Sequence, residues 1–515
     1  MKKSILSLAV AAGVSSTAMA QMHINHQGLG EALVFPLYTA QNGNDTYIAI
    51  ANTTSNAKAV KIRILEAQNS VEVLDFNLYM SPEDHFSFAI TANEDGGASL
   101  VTADKSCTVP QITGPIPFRG LKFAADKGKD NAATTTVDES FDNTSISRTQ
   151  IGHIEVIEMG QIAYDPTYMP AGTAADPDDL RNAVYLATLH DENGVPANCD
   201  AHTALWTSRG SNTPATDVIT GGWLADPTFG FQSSWNGGGL YGYGQVINVA
   251  EGTAFGYDAV AIADMAGDAA NGGDMHYAPG NIQPNFDDDA ITNDVMTEGF
   301  NGTVTGPEVL AVAALFQTSE VENDYVIDPD INALTDWVVT APTKFYHTNG
   351  TTPVVPFNDT WDGMTACEPV ALETWDREEA YVPPPVIPGS GPDFSPSPAP
   401  STPTDSNNDM PLCYETNIVQ FGDTSALKAE DVVVGVGSRL DYTEGWARLD
   451  MKQGSLDTDT SKWTNYRAIE GYEGLPVTGF AVIKYTNSSA NEAGALANYA
   501  ISTEHKTTVV ASGTP

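Results

Sequence analysis

Regular alternation of apolar and polar residues in the first hundred residues constrains the fold of this chain more than any other feature. Apolar residues at positions 60, 62 and 64 alternate with charged residues at 61 and 63, and the same period recurs at 74–79 and 86–90. A period of two is typical of a strand with one buried face. Clusters of Asn, Asp, Gly, Ser and Pro separate these segments. The pattern predicts five short strands, typical of a β-sandwich, at residues 33–39, 46–53, 58–66, 71–79 and 85–91.

Similar patterns continue along the chain. They predict strands at residues 152–158, 183–190, 241–249 and 335–346, and in the tail at 445–451, 476–485, 497–503 and 506–511. Short helices are predicted at 254–265 and after Pro307, because proline suits the first position of a helix. The predicted fold class is therefore mainly all-β, with immunoglobulin-like β-sandwich domains, long loops and a few short helices.

Two compositional breaks suggest how the chain is divided. Residues 124–143 are polar, and residues 382–404 are rich in Pro and Ser, which cannot join a sheet. The predicted units are a signal peptide (1–20), an N-terminal β-sandwich (21–125), a middle β-rich domain (146–350), a Pro-rich linker or disulfide-closed loop (351–412) and a C-terminal β-sandwich (413–515). Alternatively, the C-terminal strands complete the N-terminal sandwich.

The N-terminus has the pattern of an export signal. Lys2 and Lys3 precede an apolar stretch at 5–14, and Ala18-Met19-Ala20 forms a cleavage site, so the mature chain is expected to begin at Gln21. No later run approaches the roughly 20 apolar residues of a membrane helix, so no transmembrane segment is predicted. These features predict a secreted protein.

An even number of cysteines in an exported chain predicts disulfide bonds. Three pairings of Cys107, Cys199, Cys367 and Cys413 are possible. Pairing in sequence order, Cys107 with Cys199 and Cys367 with Cys413, closes the shorter loops and is favoured.

The charge balance limits the possible partners. The chain has 23 Lys and Arg against 66 Asp and Glu, a formal net charge of −43, which becomes −45 when Lys2 and Lys3 leave with the signal peptide. Such a charge argues against nucleic acid as a partner, because a polyanion is repelled and no basic stripe offsets the repulsion. It also opposes self-association unless cations screen or bridge it, so divalent cations are predicted partners. The alternative is an acidic surface adapted to a salty medium.

Several short Asp- and Asn-rich clusters match the oxygen ligands that calcium prefers, although none completes an EF-hand loop. The alternative is that these residues form solvated turns. The candidate calcium ligands are Asp287, Asp288, Asp289, Asp294, Asp405, Asn407, Asp409, Asp457 and Asp459.

No catalytic motif is present: the sequence contains no G-x-S-x-G, no H-E-x-x-H and no Walker A segment. No catalytic residue is therefore assigned, and the chain is predicted not to be an enzyme. Five tryptophans are predicted to lie among Gly- and Thr-rich loops and could stack on sugars, or else anchor the core or a subunit interface. They are Trp206, Trp223, Trp235, Trp361 and Trp375.

Five segments carry a resemblance to a known family: GLGEALVFP at 28–36, TYIAIANT at 46–53, VLDFNLY at 73–79, TDWVVT at 335–340 and GWARL at 445–449. Together they resemble the surface-layer (S-layer) proteins of marine Gammaproteobacteria, which are also biofilm-matrix components. The resemblance implies a two-dimensional lattice of identical subunits on the outer face of the cell envelope. It also implies attachment to the outer-membrane surface through lipopolysaccharide, and a dependence on calcium.

The sequence thus predicts a structural S-layer subunit that self-assembles on the bacterial outer surface and contributes to the biofilm matrix, with calcium as a structural ion. A secreted adhesin or glycan-binding protein is the main alternative, and a secreted glycoside hydrolase is a further one.

Overall fold

The structure is a computed structural model of the chain. It describes residues 21–123, 126, 144–164, 177–208, 220–234, 237–267, 273–376, 409–437, 440, 442–452, 468–487 and 497–511.

Strands make up most of the secondary structure. In the first half of the chain they are β1 (His23–Ile24), β2 (Ala32–Thr39), β3 (Asn44–Asn52), β4 (Lys58–Glu66), β5 (Glu72–Met80), β6 (His85–Ala92), β7 (Ala98–Val101), β8 (Cys107–Val109), β9 (Ile116–Pro117), β10 (Ile151–Gln161), β11 (Leu240–Asn248), β12 (Thr253–Asp258) and β13 (Val260–Ala263).

The second half contributes β14 (Asp294–Met296), β15 (Asn301–Thr303), β16 (Gln317–Thr318), β17 (Glu320–Val326), β18 (Ala333–Thr340), β19 (Glu368–Asp376), β20 (Asp409–Leu412), β21 (Thr416–Gln420), β22 (Val433–Gly435), β23 (Glu444–Asp450), β24 (Ala468–Ile469), β25 (Tyr472–Glu473), β26 (Leu475–Pro476), β27 (Thr478–Tyr485), β28 (Tyr499–Glu504), β29 (Lys506–Thr508) and β30 (Val510–Ala511). The helices are α1 (Pro177–Thr188), α2 (Cys199–Leu205), α3 (Gly222–Ala225), α4 (Glu308–Phe316) and α5 (Lys344–Thr348). Short 3-10 turns lie at Gln41–Gly43, Ile146–Gln150 and Pro329–Ile331. Many strands and few helices confirm the predicted all-β class, while a specific likeness to immunoglobulin domains stays a prediction.

The first sandwich consists of a seven-stranded sheet, in the order β1-β13-β2-β10-β4-β5-β8, and a six-stranded sheet, in the order β12-β11-β3-β6-β7-β9. Phe35, Ile62 and Ile154 of the seven-stranded sheet share one buried cluster with Ile50 and Phe88 of the six-stranded sheet. Alternation puts every second side chain of a strand on the same face, which explains why the predicted period-two segments supply this core.

The second sandwich has an outer five-stranded sheet, in the order β20-β19-β23-β17-β29, and an inner five-stranded sheet, in the order β22-β21-β18-β27-β28. Tyr325, Leu372 and Leu449 of the outer sheet pack with Trp337 and Ala481 of the inner sheet. Neighbouring strands are antiparallel except for the parallel pair β21–β22.

The inner sheet also packs against the first sandwich. Phe480 and Val482 of β27 belong to the core cluster of the first sandwich, and the Phe480 ring stacks on Tyr257 at a centroid distance of 4.7 Å. The Thr340 hydroxyl donates to the Pro36 carbonyl oxygen at 2.6 Å. Within the described residues, no strand pair joins the two sandwiches. The C-terminal strands therefore pack on the N-terminal sandwich without completing it.

Sheet membership does not follow the predicted division of the chain. Strands β10 to β13 of the predicted middle segment belong to the first sandwich, whereas β17 and β18 belong to the second. Strands β19 and β20, which lie entirely inside the predicted linker, are part of the outer sheet. The reason is long-range pairing: β10 lies between β2 and β4 in the sheet, and local alternation contains no information about such partners.

The strand predicted at 335–346 ends at Thr340 as β18, and residues 344–346 lie in helix α5. Two other segments have a different secondary structure throughout or nearly so. Residues 254–265 contain strands β12 and β13 instead of a helix, and residues 183–190 lie largely in α1 instead of a strand. Both segments are short apolar runs, in which periodicity cannot separate a buried strand from a helix. The helix predicted after Pro307 is present as α4, and Pro307 is its N-cap residue.

Two disulfide bonds cross-link the chain, Cys107–Cys199 and Cys367–Cys413, which is the pairing that loop length favoured. The first joins β8 to the start of α2. The second lies at the base of the β19–β20 pair, next to the opposed residues Glu368 and Leu412. In the part of the chain that the structure describes, no helix is long and apolar enough to cross a membrane.

Candidate functional site

Three of the four candidate calcium ligands between residues 287 and 294 accept hydrogen bonds from backbone or hydroxyl groups of neighbouring segments. Asp287 accepts from a backbone N–H at the start of α4 at 3.4 Å, and Asp288 accepts from the N–H two residues later at 3.1 Å. Asp294 accepts from a threonine hydroxyl across the β14–β15 pair. Asp288 is buried, whereas Asp287 and Asp289 are exposed, and burial raises the pKa of Asp288. These contacts are typical of turn and capping residues.

The structure does not describe the side chains of the other candidate calcium ligands. Asp405, Asn407, Asp457 and Asp459 lie outside the described residues, and only the backbone of Asp409 is described, at the start of β20. Where side chains are described, no group of three or more His, Cys, Asp or Glu is arranged to hold a metal ion. Calcium binding therefore stays a prediction.

Most of the tryptophans singled out by the sequence lie in the interior. Trp223 and Trp361 are buried, and the Trp206 indole donates to the Tyr79 hydroxyl at 2.9 Å. Trp235 lies outside the described residues. Trp206, Trp223 and Trp361 therefore have the interior role that was the alternative to sugar stacking.

Trp375 lies in strand β19, although the sequence had suggested a loop. It stands directly opposite Trp446 of β23, and the two rings stack at a centroid distance of 4.0 Å and an angle of 8°. Their strand neighbours Thr374 and Ala447 are buried, whereas both tryptophans are partly exposed. The stacked pair therefore lies on the outward face of the outer sheet.

Charged side chains form the next row of this face. Arg448 stands between Glu322 of β17 and Glu373 of β19, and its Nε donates to Glu322 at 2.9 Å. Its guanidinium lies 5.3 Å and 5.6 Å from the centroids of Trp375 and Trp446, within cation–π range. We call Trp375, Trp446 and Arg448 the tryptophan face; it offers aromatic surface beside charges of both signs.

Strand β28 forms an edge of the inner sheet. Among the described strands, only β27 forms a hydrogen-bonded ladder with it. The Ser502 hydroxyl also donates to the Gly256 carbonyl oxygen of β12, and Asn323 Nδ2 donates to the Thr503 and Glu504 carbonyl oxygens. The open part of the edge is therefore the stretch at residues 499–501, where no second described strand pairs with β28. Tyr499 and Ile501 are 62% and 55% exposed. The strand contains no Lys or Pro, the residues with which proteins commonly prevent edge pairing. We call this strand, with Tyr499 and Ile501, the β28 edge.

The second face of the seven-stranded sheet is also buried. The strand pattern at 58–66 predicted one exposed polar face, but Lys58 and Lys61 have no exposed surface and Arg63 is 6% exposed. The segment before α4 covers this face, since the Lys61 ammonium donates to the Asn281 carbonyl oxygen at 2.9 Å.

These charges are paired across neighbouring strands. The three basic residues pair with acidic residues of β5 and β10, and we call this set the ionic ladder. Its pairs are Lys58–Glu158, Lys61–Asp75, Arg63–Glu155 and Arg63–Glu72. Buried charges occur in proteins almost only when they are paired.

His153 lies beside the ladder, in β10. It has no exposed surface, and neither ring nitrogen has a hydrogen-bond partner among the described residues. Burial, with a smaller effect of Arg63, lowers the pKa of His153 to about 3. An unfolded histidine titrates near 6.5, so the folded protein resists protonation here, and this contribution to stability is lost as the pH falls from 6.5 towards 3.

We therefore expect His153→Leu to weaken the acid sensitivity of the protein. Between pH 7 and pH 4.5 the variant should lose about 2–3 kcal/mol less unfolding free energy than the wild type, measured by urea denaturation at each pH. Replacing the exposed His85 by Leu is the matched control for loss of one histidine. Equal pH dependence in wild type and His153→Leu would contradict this account.

Sequence reasoning missed two groups of residues. Trp446 and Arg448 were placed on a predicted strand and in a segment that carried the family resemblance, but they were not named as site residues. The residues of the ionic ladder were expected on an exposed face. The sequence does contain a signal for the tryptophan face: Trp446 and Arg448 alternate with the apolar Ala447 and Leu449 on a predicted strand, which places them on the face opposite to the core. No local signal identified the cover over the ladder.

Comparison with known proteins adds no further assignment: no protein-family model, no curated protein and no solved structure matches this chain.

Proposed function

We propose that this protein is a structural subunit that self-assembles into a two-dimensional lattice on the outer surface of a bacterial cell and contributes to the biofilm matrix. The observation that carries the proposal is the β28 edge, where Tyr499 and Ile501 are exposed on a strand with one open side. An open strand edge can pair with a second chain through backbone hydrogen bonds. A second copy of this chain is the proposed partner.

The body behind the edge suits a building block. Two sandwiches pack through a shared apolar cluster, and two disulfide bonds cross-link them internally. Each copy would therefore meet its neighbours as a preformed unit, which lowers the entropic cost of association.

The charge of the chain sets a condition for assembly. With 66 acidic residues against 23 basic ones, neighbouring copies bring carboxylates together, and two such charges 4 Å apart repel by about 1 kcal/mol in water. Divalent cations offset this repulsion by bridging carboxylates, so the proposal includes calcium as the structural ion. The export signal and the resemblance support a position outside the outer membrane, with lipopolysaccharide as the attachment partner.

A glycan-binding role is the second candidate, and the tryptophan face favours it. A partly exposed stack of Trp375 and Trp446 beside Arg448 offers a flat apolar surface with polar groups at its border, as sugar rings require. A protein that remains monomeric, and whose binding to extracellular polysaccharide is lost on Trp446→Ala, would favour this role over the lattice.

The assembly proposal is tested by placing a charge on the β28 edge. We expect Ile501→Lys to raise the concentration required for assembly by at least about tenfold, because a buried apolar contact worth about 1.4 kcal/mol or more becomes a desolvated charge. Sedimentation velocity in calcium-containing buffer measures the fraction of assembled protein.

The matched control is Val249→Lys, since Val249 is an exposed aliphatic residue (78%) in the β11–β12 turn. It should assemble like the wild type. Assembly of Ile501→Lys at wild-type concentrations would exclude the β28 edge as the subunit contact.

A further inference from the structure

A cavity of about 350 Å³ lies over the ionic ladder, on the covered face of the seven-stranded sheet. Its charged wall includes Arg63, Glu72 and Glu155, and its apolar wall includes Leu65, Pro342 and Phe345. Ile282 also lines it and is 56% exposed, which places this residue at the mouth. Cavities that bind small molecules have this size and this combination of an apolar wall with a few polar groups.

One carboxylate oxygen in this wall lacks a partner. Glu155 is 1% exposed, and its Oε2 accepts a hydrogen bond from the Arg63 guanidinium. Its Oε1 has no hydrogen-bond partner within the described part of the chain. A buried acceptor without a donor costs roughly 1–3 kcal/mol. The described residues of the cavity wall therefore supply no hydrogen-bond donor for Glu155 Oε1.

The basic group beside it is already satisfied. Arg63 is paired with Glu155 and, through Nε at 3.2 Å, with Glu72. The Lys122 ammonium also forms an ion pair with the Glu72 carboxylate, at an Nζ–Oε1 distance of 3.2 Å. Among the described residues, the charged lining consists of these four and Asp126, and Asp126 is paired with Arg148, which also pairs with Glu66. With Arg148 and Glu66 included, three basic residues face four acidic ones, so one negative charge remains in excess. A cation suits this balance better than an anion does.

We propose that this cavity binds a small organic ammonium compound, which donates an N–H to Glu155 Oε1 and packs its hydrocarbon part against Leu65, Pro342 and Phe345. The aromatic rings of Phe345 and Tyr346, which also line the cavity, offer additional attraction for a cation. This inference is independent of the lattice proposal, because the cavity and the β28 edge share no residue.

The test uses hexylammonium chloride as the cationic probe and hexan-1-ol as its neutral counterpart, titrated into the purified protein by isothermal calorimetry. We expect saturable binding of one hexylammonium per chain, and binding of hexan-1-ol at least about tenfold weaker. Both probes can donate a hydrogen bond to Glu155 Oε1, but only the ammonium makes that bond charge-assisted and offsets the excess negative charge around the cavity. Equal affinity for the two probes would overturn the proposal, as would the absence of saturable hexylammonium binding at millimolar concentration.

Two variants locate the binding. Glu155→Gln removes the charge, and Ile282→Trp narrows the mouth without touching the ionic ladder; each should weaken hexylammonium binding by about tenfold or more. Because Glu155→Gln perturbs a buried ion pair, Ile282→Trp keeps the test valid if that variant fails to fold. Glu322→Gln, on the outer sheet, is the matched control and should bind normally. Wild-type affinity in Ile282→Trp would place the binding elsewhere and overturn the proposal.

Discussion

Replacing Lys58 by Met is expected to lower the free energy of unfolding by about 3–5 kcal/mol. Lys58 and Glu158 form a pair at 2.7 Å in which neither side chain has exposed surface. Without the ammonium, the hydrogen bond from the Gly238 N–H, at 2.8 Å, is the one that the Glu158 carboxylate retains within the described part of the chain. Burial already raises the pKa of Glu158, and Lys58 is the main group that opposes this shift. Urea denaturation followed by tryptophan fluorescence measures the loss.

The double variant Lys58→Met/Glu158→Met separates pairing from packing. It removes both charges, so it should recover most of the lost stability and fall short of the wild type by about 1 kcal/mol, since the Gly238 N–H loses its acceptor. Arg448→Met is the matched control on a partly exposed ion pair, where about 1 kcal/mol or less is expected. A double variant no more stable than Lys58→Met would contradict the pairing account.

Removing the Cys107–Cys199 disulfide, as Cys107→Ser/Cys199→Ser, is expected to lower the unfolding free energy by about 4 kcal/mol. The bond links residues 92 positions apart, and a cross-link over a loop of this length restricts the unfolded chain strongly. It also ties β8 to α2. The helical insertion between β10 and β11 should therefore become the first part of the protein that proteases cut.

The second disulfide supplies the comparison. Cys367 and Cys413 are 46 positions apart, and halving the loop lowers the entropic contribution by about 0.6 kcal/mol. Cys367→Ser/Cys413→Ser should thus destabilise the protein slightly less, in the same urea or thermal unfolding measurement. Unchanged stability in the Cys107→Ser/Cys199→Ser variant would show that the bond does not constrain the unfolded chain.

The strands of the first sandwich were predictable because their pattern is local. Strands β4 and β6 begin where alternation and turn residues placed them. What lies over a strand is not local: the residues at 61 and 63 look like a solvent-facing row, yet the segment before α4 and helix α5 cover that side of the sheet. Ion pairs between neighbouring strands can satisfy buried charges. A strand with alternating apolar and charged residues can therefore have its charged face either exposed to solvent or buried under another segment.

Domain limits and site residues were less predictable for the same reason. Strand β10 joins β2 and β4 after an excursion of more than eighty residues, a pairing that periodicity cannot show. Trp375 and Trp446 are about seventy positions apart, and they become one surface only because β19 and β23 are neighbours in register. Acidic clusters, in contrast, can be read from any sequence, but they do not separate ligands from structural residues: Asp288 accepts a hydrogen bond within its own turn, and Asp287 accepts one from the start of α4.

The most direct test of the lattice account is negative-stain electron microscopy of the purified protein, first with calcium and then with a chelator. The account predicts periodic sheets of the wild-type protein in calcium, their dispersal in chelator, and dispersed particles for Ile501→Lys. Sheets that resist the chelator would retain the lattice and remove calcium from the account. Dispersed wild-type particles in both conditions, across several salts and supporting surfaces, would contradict the lattice itself.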